Sequence, residues 1–225
     1  MQAFYSAHPS RKVSKGEIIL HQGDIPKKIY AVKRGIVTIY NVTSSGEERF
    51  INFRVENDIF PDSWAYSKST ESLFYYQAHT DVEIYMIDKA DFNRKIHDSE
   101  KFARDLLNGE VNAHVNDQLR FNALTQSKAA DKLLHTFRYL CLRYGRDVSK
   151  DHVRINIPMT QQDLANLTGL TRETVVGELT RFRSEGLITY RHMSYIVNTA
   201  KLNELIDDEY NPGVDINVWA HKRST

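Results

Sequence analysis

Covalent cross-links are the first thing this sequence lacks. Cys141 is its single cysteine in 225 residues, which excludes an intramolecular disulfide and a four-cysteine iron–sulfur site within one chain. Apolar runs are short, and none approaches the roughly 20 residues needed to cross a bilayer. The first residues carry no apolar core of the signal-peptide kind. These absences predict a cytoplasmic protein with no membrane partner. Net charge is also missing: 30 Lys and Arg against 29 Asp and Glu leave +1. The totals therefore give no nucleic-acid signal, and charge has to be read locally. Histidines are scattered. His21 and His79 belong to no His-x-His pair with a following glutamate, and His97, His114, His135 and His152 are equally isolated. No metal site is expected from such a distribution. What is present, at 41% hydrophobic and 26% charged, is the composition of a folded globular chain with one large domain or two small ones.

The most informative stretch runs from Pro158 to Ile188. Thr160 is suited to cap a helix, its hydroxyl accepting from the amide of Asp163, whose carboxylate sits in the positive first turn. Leu164, Ala165 and Leu167 give that short helix a small and apolar face. Gly169 can take positive φ without strain, so the helix stops and the chain turns there. Thr171 caps a second helix in which Val175, Leu179 and Phe182 recur at intervals of four and three. Ala165 leaves room for the second helix to cross closely, and the spacing of Gln161, Ala165, Gly169 and Val175 describes a helix-turn-helix. An ordinary αα-corner inside a core is the plain alternative. Against it, Arg172-Glu173-Thr174 makes a polar opening turn suited to base edges and phosphates. Beyond Gly186-Leu187-Ile188, residues 189–197 read as two short strands with a basic tip, a wing. From Ser127 to Ala200 there are 11 Lys and Arg against 7 Asp and Glu, an excess sufficient for phosphate contact when two such units act together.

Ahead of this stretch the pattern is different. Residues 1–12 are polar and read as a lead-in. From Val13 to Ile87, extended runs (17–20, 28–32, 36–40, 49–53 and 82–87) alternate with turns such as Lys15-Gly16, Gln22-Gly23-Asp24 and Arg34-Gly35. Strands at such intervals predict an all-β barrel or roll. A cupin-type metal enzyme shares that shape, but the convergent ligands it needs are absent. Between about Ser99 and Leu124 the composition turns helical. Leu107, His114 and Phe121 fall seven apart, interleaved with Val111 and Gln118, which is the period of a coiled-coil seam. A helix packed on its own domain is the alternative to one that pairs with its twin. Residues 122–127 read as a hinge. Ser127 is expected to cap the next helix, whose stripe is Ala130, Leu133, Leu134, Phe137, Leu140 and Cys141, with Cys141 a buried small hydrophobe. A strand over 153–157 leads into the helix-turn-helix, and Leu202, Leu205 and Ile206 suggest a last short helix. The expectation is an α+β chain: β-roll 1–98, dimerisation helix and hinge 99–126, winged helix-turn-helix 127–200, and an extension 201–225 whose Trp219 docks on the body or on a neighbour.

A glycine-punctuated roll, a long helix and a C-terminal winged helix resemble the cyclic-AMP receptor/fumarate–nitrate regulator (CRP/FNR) family of bacterial transcription factors. The resemblance rests on Lys15-Gly16-Glu17, His21-Gln22-Gly23-Asp24, Lys33-Arg34-Gly35 and Ser45-Gly46-Glu47. It rests more specifically on Thr171-Arg172-Glu173-Thr174-Val175 and Ser184-Glu185-Gly186-Leu187-Ile188. It implies a homodimer placing two recognition helices in successive major grooves of a near-palindromic duplex, with RNA polymerase as a partner and no catalysis. By the same resemblance Arg172 looks like the reader of guanine N7 and O6, and Glu173 like an acceptor from the cytosine amino group. Gln161, Gln162, Thr171 and Thr174 look like phosphate contacts, joined by Arg191 and His192 from the wing and by Arg181 further along. Many members carry a second basic residue one turn after the first. Here Gly177 stands there, preceded by Val176, which is suited to touching a thymine methyl.

In the roll the departures go further. The Gly-Glu pair that holds a ribose in the family's cyclic-nucleotide binders falls at Pro61-Asp62, and the Arg-Ser pair for the cyclic phosphate falls at Ser72-Leu73. With no arginine nearby, no cyclic nucleotide is expected, because a buried phosphate needs a cationic partner. Neither is a haem, since Ser63 stands where its ligand would be. Phe60, Trp64, Tyr66, Phe74, Tyr75 and Tyr76 make this region aromatic. Either Asp62, Trp64, Tyr66, Phe74 and Tyr75 line a pocket for an apolar or aromatic effector, or the rings fill the space a nucleotide would take; the second reading is favoured. Tyr75 and Tyr76 face opposite sides of any strand, so at most one lines a cavity.

Overall fold

Between Ser10 and Ile87 the alternating residues form short strands whose buried sides close on one another. The computed structural model describes residues 1–46 and 48–206. Glu47, and the stretch 207–225 with Trp219, lie outside the described residues. A short helix α1 (Gln2–Tyr5) precedes β1 (Ser10–Val13), β2 (Ile18–Leu20), β3 (Ile29–Arg34), β4 (Val37–Val42), β5 (Glu48–Arg54) and β6 (Ile59–Phe60). One turn of helix, α2 (Asp62–Ala65), then leads to β7 (Tyr75–Ala78) and β8 (Val82–Ile87). Two antiparallel sheets result, in the orders β1-β8-β3-β6 and β2-β7-β4-β5. Val13, Val32 and Ile84 from one sheet share a core with Leu20, Ile39 and Tyr76 from the other, which makes this a β-roll. Gly35 is required where β3 turns into β4. Its φ is +93°, and a Cβ there would meet the carbonyl oxygen of Asp81 at 2.3 Å.

The lead-in reading of residues 1–12 is corrected. Tyr5 is 1% exposed and packs edge-on against Phe102, so α1 and β1 belong to the roll. A helix α3 (Lys89–Asp98), also unread in the sequence, buries Phe92 in the same cluster as Tyr5, Ile29 and Phe102. After it runs α4 (Glu100–Thr125), 26 residues and so about 39 Å long. Phe102 and Leu106 anchor its start. Leu107, Val111, His114, Gln118 and Phe121 are all exposed. The chain divides into two compact units after Gly109, within α4.

In the second unit α5 (Ala129–Tyr144) is buried nearly all round from Leu133 to Leu142 rather than along one stripe, with Cys141 2% exposed. Thr136, on what would have been the polar side, returns its hydroxyl to the Lys132 carbonyl at 2.7 Å. Ser127 is not the cap. Lys128 holds that position without a side-chain bond, and Asp131 supplies the negative charge of the first turn. Strands β9 (Gly145–Ser149) and β10 (His152–Ile155) follow, then α6 (Gln161–Thr168) and α7 (Arg172–Ser184). Strands β11 (Ile188–Arg191) and β12 (Ser194–Asn198) and a last helix α8 (Thr199–Leu205) complete the described chain. The sheet order is β11-β12-β10-β9.

Candidate nucleic-acid interface

Local chemistry builds α6 and α7. The Thr160 hydroxyl accepts from the Asp163 amide at 3.0 Å, and the Asp163 carboxylate accepts from the Thr160 amide at 2.7 Å. Two donors that a helix start leaves open are thereby satisfied. Gly169 ends α6 at φ 67° in the left-handed region. Thr171 opens α7 by accepting from the Thr174 amide at 3.2 Å. Ala165, Val175, Leu179 and Phe182 are 0–1% exposed. The two helices therefore bury the faces that their spacing assigns and turn the others outward.

The outward face of α7 opens with Arg172 and Glu173. Both are exposed, and among the described residues neither side chain makes a hydrogen bond or an ion pair. Val176 lies one turn after Arg172, half-buried, and Thr180 folds its hydroxyl back onto the Val176 carbonyl at 2.8 Å. Thr171 and Thr174 sit at the same helix start with their hydroxyls 3.0 Å apart. Gln161 is half-buried at the first position of α6, and Gln162 is exposed and donates to Asn166 at 2.9 Å. Arg181 is differently placed from the rest. Its guanidinium reaches Glu178 at 2.7 Å and Glu185 at 3.3 Å, and the hydrogen bond to Glu178 is the largest cause pushing its pKa up. A phosphate would compete with two carboxylates for that cation.

Across the wing, β11 and β12 pair Arg191 with Ser194, leaving His192 exposed at the tip with φ 54°. Tyr190 stacks on Tyr195 at 5.6 Å, and burial pushes the Tyr195 phenol up to about 12. The Met159 amide donates to the Met193 carbonyl at 3.0 Å, so the wing is fastened to the segment that enters α6. No signal in the sequence marked that link, because a backbone bond depends on placement and not on residue type.

The roll treats the five aromatic-region candidates unequally. Asp62 pairs with Arg54 at 2.6 Å, and Arg54 also donates to the Ile59 carbonyl at 3.2 Å. A cation therefore does stand near this site, contrary to the sequence reading; it comes from β5, and it is engaged by Asp62. Trp64 and Tyr66 pack with Tyr5 and Phe92, and Lys89 lies over the Trp64 ring at 4.3 Å. Phe74 packs on the other core. Tyr75 stacks on Tyr40 at 5.1 Å. The five do not converge on one cavity. Tyr76 is buried in the roll, stacked on Phe60 at 4.9 Å, and Tyr30 also stacks on Phe60 at 5.3 Å; burial pushes the Tyr76 phenol up. Ser72, at the position of the expected phosphate-binding arginine, is buried and donates to the Phe74 carbonyl at 2.7 Å. An open cleft of about 420 Å³ lies between Gln22, Val42, Glu71, Ser72, Leu73 and Tyr75; it includes both Ser72 and Leu73, and of the five candidates it takes only Tyr75. Among the described residues no three His, Cys, Asp or Glu side chains gather as for a metal ion, and no helix is long and apolar enough to cross a membrane.

Residues 10–99 match the family model for a cyclic nucleotide-binding domain, and residues 130–205 match that for a Crp-like helix-turn-helix domain. Similar proteins include electron transport regulator A of Shewanella oneidensis, 28% identical over 83% of this chain and 74% of that one. The nitrogen fixation regulation protein FixK of Rhizobium meliloti is 26% identical over 78% of this chain and 76% of its own. The transcriptional activator protein anr of Pseudomonas aeruginosa is 27% identical over 80% and 72%. Among solved structures, FixK2 from Bradyrhizobium japonicum has a TM-score of 0.73 at 18% identity, covering 88% of this chain and 96% of that one. A CooA mutant from Carboxydothermus hydrogenoformans has a TM-score of 0.71 at 19% identity, covering 90% and 89%. Both structures share the fold.

Proposed function

This chain belongs to the CRP/FNR family of DNA-binding transcription regulators, and on that premise we propose that it acts as a homodimer reading near-palindromic duplex DNA without a cyclic nucleotide. One observation carries the reading: Arg172 and Glu173 stand exposed, with no partner among the described residues, at the mouth of a capped helix whose opposite face is fully buried. An unengaged guanidinium and carboxylate in consecutive positions suit a guanine edge and a cytosine amino group. Gln161, Gln162, Thr171, Thr174, Arg191 and His192 would position the helix on phosphates, and Val176 would read a thymine methyl. Arg181 is a weaker phosphate contact on this reading, since Glu178 and Glu185 already engage it.

Dimerisation through α4 is supported by the exposure of Leu107, Val111 and Phe121 at heptad spacing. Independence from cyclic nucleotides is supported by the Tyr30–Phe60–Tyr76 stack inside the roll and by the engagement of Arg54 with Asp62. Regulation rather than catalysis is this family's activity. RNA polymerase is the partner through which a bound dimer would act, and the same reading assigns the protein to the bacterial cytoplasm. Selection of duplexes from a random pool, with no effector added, tests this: a two-fold-related site should emerge. Arg172→Ala should weaken binding to that site by about 1–3 kcal/mol and relax one base position per half-site. Unchanged selectivity in that variant would show that α7 does not read the bases through Arg172.

A further inference from the structure

Gly177 is the sixth of the thirteen residues of α7. Glycine is the least favourable interior helix residue after proline, because it loses the most backbone freedom and covers none of the helix. Its usual reasons are missing here. The backbone is not in the left-handed region, and a Cβ at this position would meet nothing within 4 Å. Neither conformation nor packing within the folded chain requires the missing side chain. The residue is exposed, and it lies one turn after Glu173 on the same face. One turn further on, Thr180 has withdrawn its hydroxyl to the Val176 carbonyl. Between Glu173 and Thr180 this face therefore carries no side chain at Gly177, a trough one residue wide floored by backbone, with Val176 beside it.

We propose that Gly177 is a specificity-determining residue, and that the trough it creates receives a thymine C5-methyl group. This rests on the reading that α7 enters the major groove. Without a side chain at 177 the duplex approaches the helix axis more closely than any other residue would allow. That approach brings the isopropyl group of Val176 against the same methyl, an apolar contact that distinguishes thymine from cytosine. The helix stability forgone at Gly177 is exchanged for proximity to a base.

Stability and affinity should then respond to Gly177→Ala with opposite signs. The variant's unfolding midpoint should rise by about 2–4 °C, while affinity for the selected duplex falls about ten-fold and binding to random duplex stays within about two-fold. Replacing the thymines of the half-site one at a time by deoxyuridine should locate one position where loss of the methyl costs the unsubstituted protein about four-fold and costs the alanine variant nothing. Gly177→Arg, which fills the trough with a guanidinium, should exchange the thymine preference at that position for guanine in a fresh selection. Equal or tighter binding by Gly177→Ala, no methyl-sensitive position, or an unaltered selection with Gly177→Arg each overturns the proposal. Arg172→Ala run in parallel separates the two levels. If that variant loses selectivity while those at Gly177 change nothing, the trough alone is wrong; if neither changes, the groove-reading role of α7 is wrong too.

Discussion

Phe121→Ala tests the pairing of two copies along α4. In the single chain Phe121 keeps 70% of its surface in water, alongside Leu107 at 63% and Val111 at 50%. His114 and Gln118, the polar members of the same heptad stripe, lie within hydrogen-bond distance of each other at 3.2 Å. The apolar members must therefore supply most of the association energy. Full burial of a side chain of this size contributes about 1.5–3 kcal/mol, so covering the exposed part of Phe121 contributes about 1–2 kcal/mol. Two-fold symmetry counts the loss twice, giving about 2–4 kcal/mol per dimer. The dimer dissociation constant should then rise by about 30- to 800-fold. Sedimentation velocity across a dilution series measures it directly, with circular dichroism to verify that the helices survive. The same variant should bind a two-fold-related duplex only at protein concentrations where dimers persist, and a single half-site as the parent does. A dissociation constant within about three-fold of the parent, with the fold intact, would refute the assignment of this face to the subunit contact.

Two further outcomes follow from local geometry. Thr160→Ala removes the hydroxyl half of the reciprocal cap on α6 and leaves the backbone amide to donate to Asp163; it should cost about 1 kcal/mol, lowering the unfolding midpoint by about 2–4 °C; an unchanged melt would mean that the hydroxyl is dispensable. Cyclic AMP or cyclic GMP at millimolar concentration should leave the melting temperature of the roll where it is. A saturable rise would show that the Arg54–Asp62 pair opens to admit a phosphate.

What could be read from the residues was whatever is decided locally. The Thr160 cap, the turn at Gly169 and the burial of Val175, Leu179 and Phe182 each follow from neighbours within a turn or two, and the structure has all of them. The roll was legible as a class but not strand by strand. β6 is two residues long, too short for alternation to register, and β1 stands on its pairing with β8 far along the chain. Tyr5 was unreadable for a related reason, since the Phe102 ring against which it packs belongs to a helix nearly a hundred residues away. Arg54 and Asp62 lie on separate elements, so their ion pair had no periodic signature. Arg181 is a different kind of miss. Glu178 and Glu185 stand three before it and four after it, a helical spacing that announces an ion pair in the sequence itself.

The backbone bond between Met159 and Met193 has a consequence for control. It closes a loop of chain that contains the entry to α6, all of α7 and the tip of the hairpin, so the surface offered to DNA is cast in one piece when the unit folds. On the proposed reading, control would then act on how often two such surfaces are held one turn of duplex apart, about 34 Å. Which sequence is chosen and when it is occupied are then separate properties, open to change by substitutions in different parts of the chain.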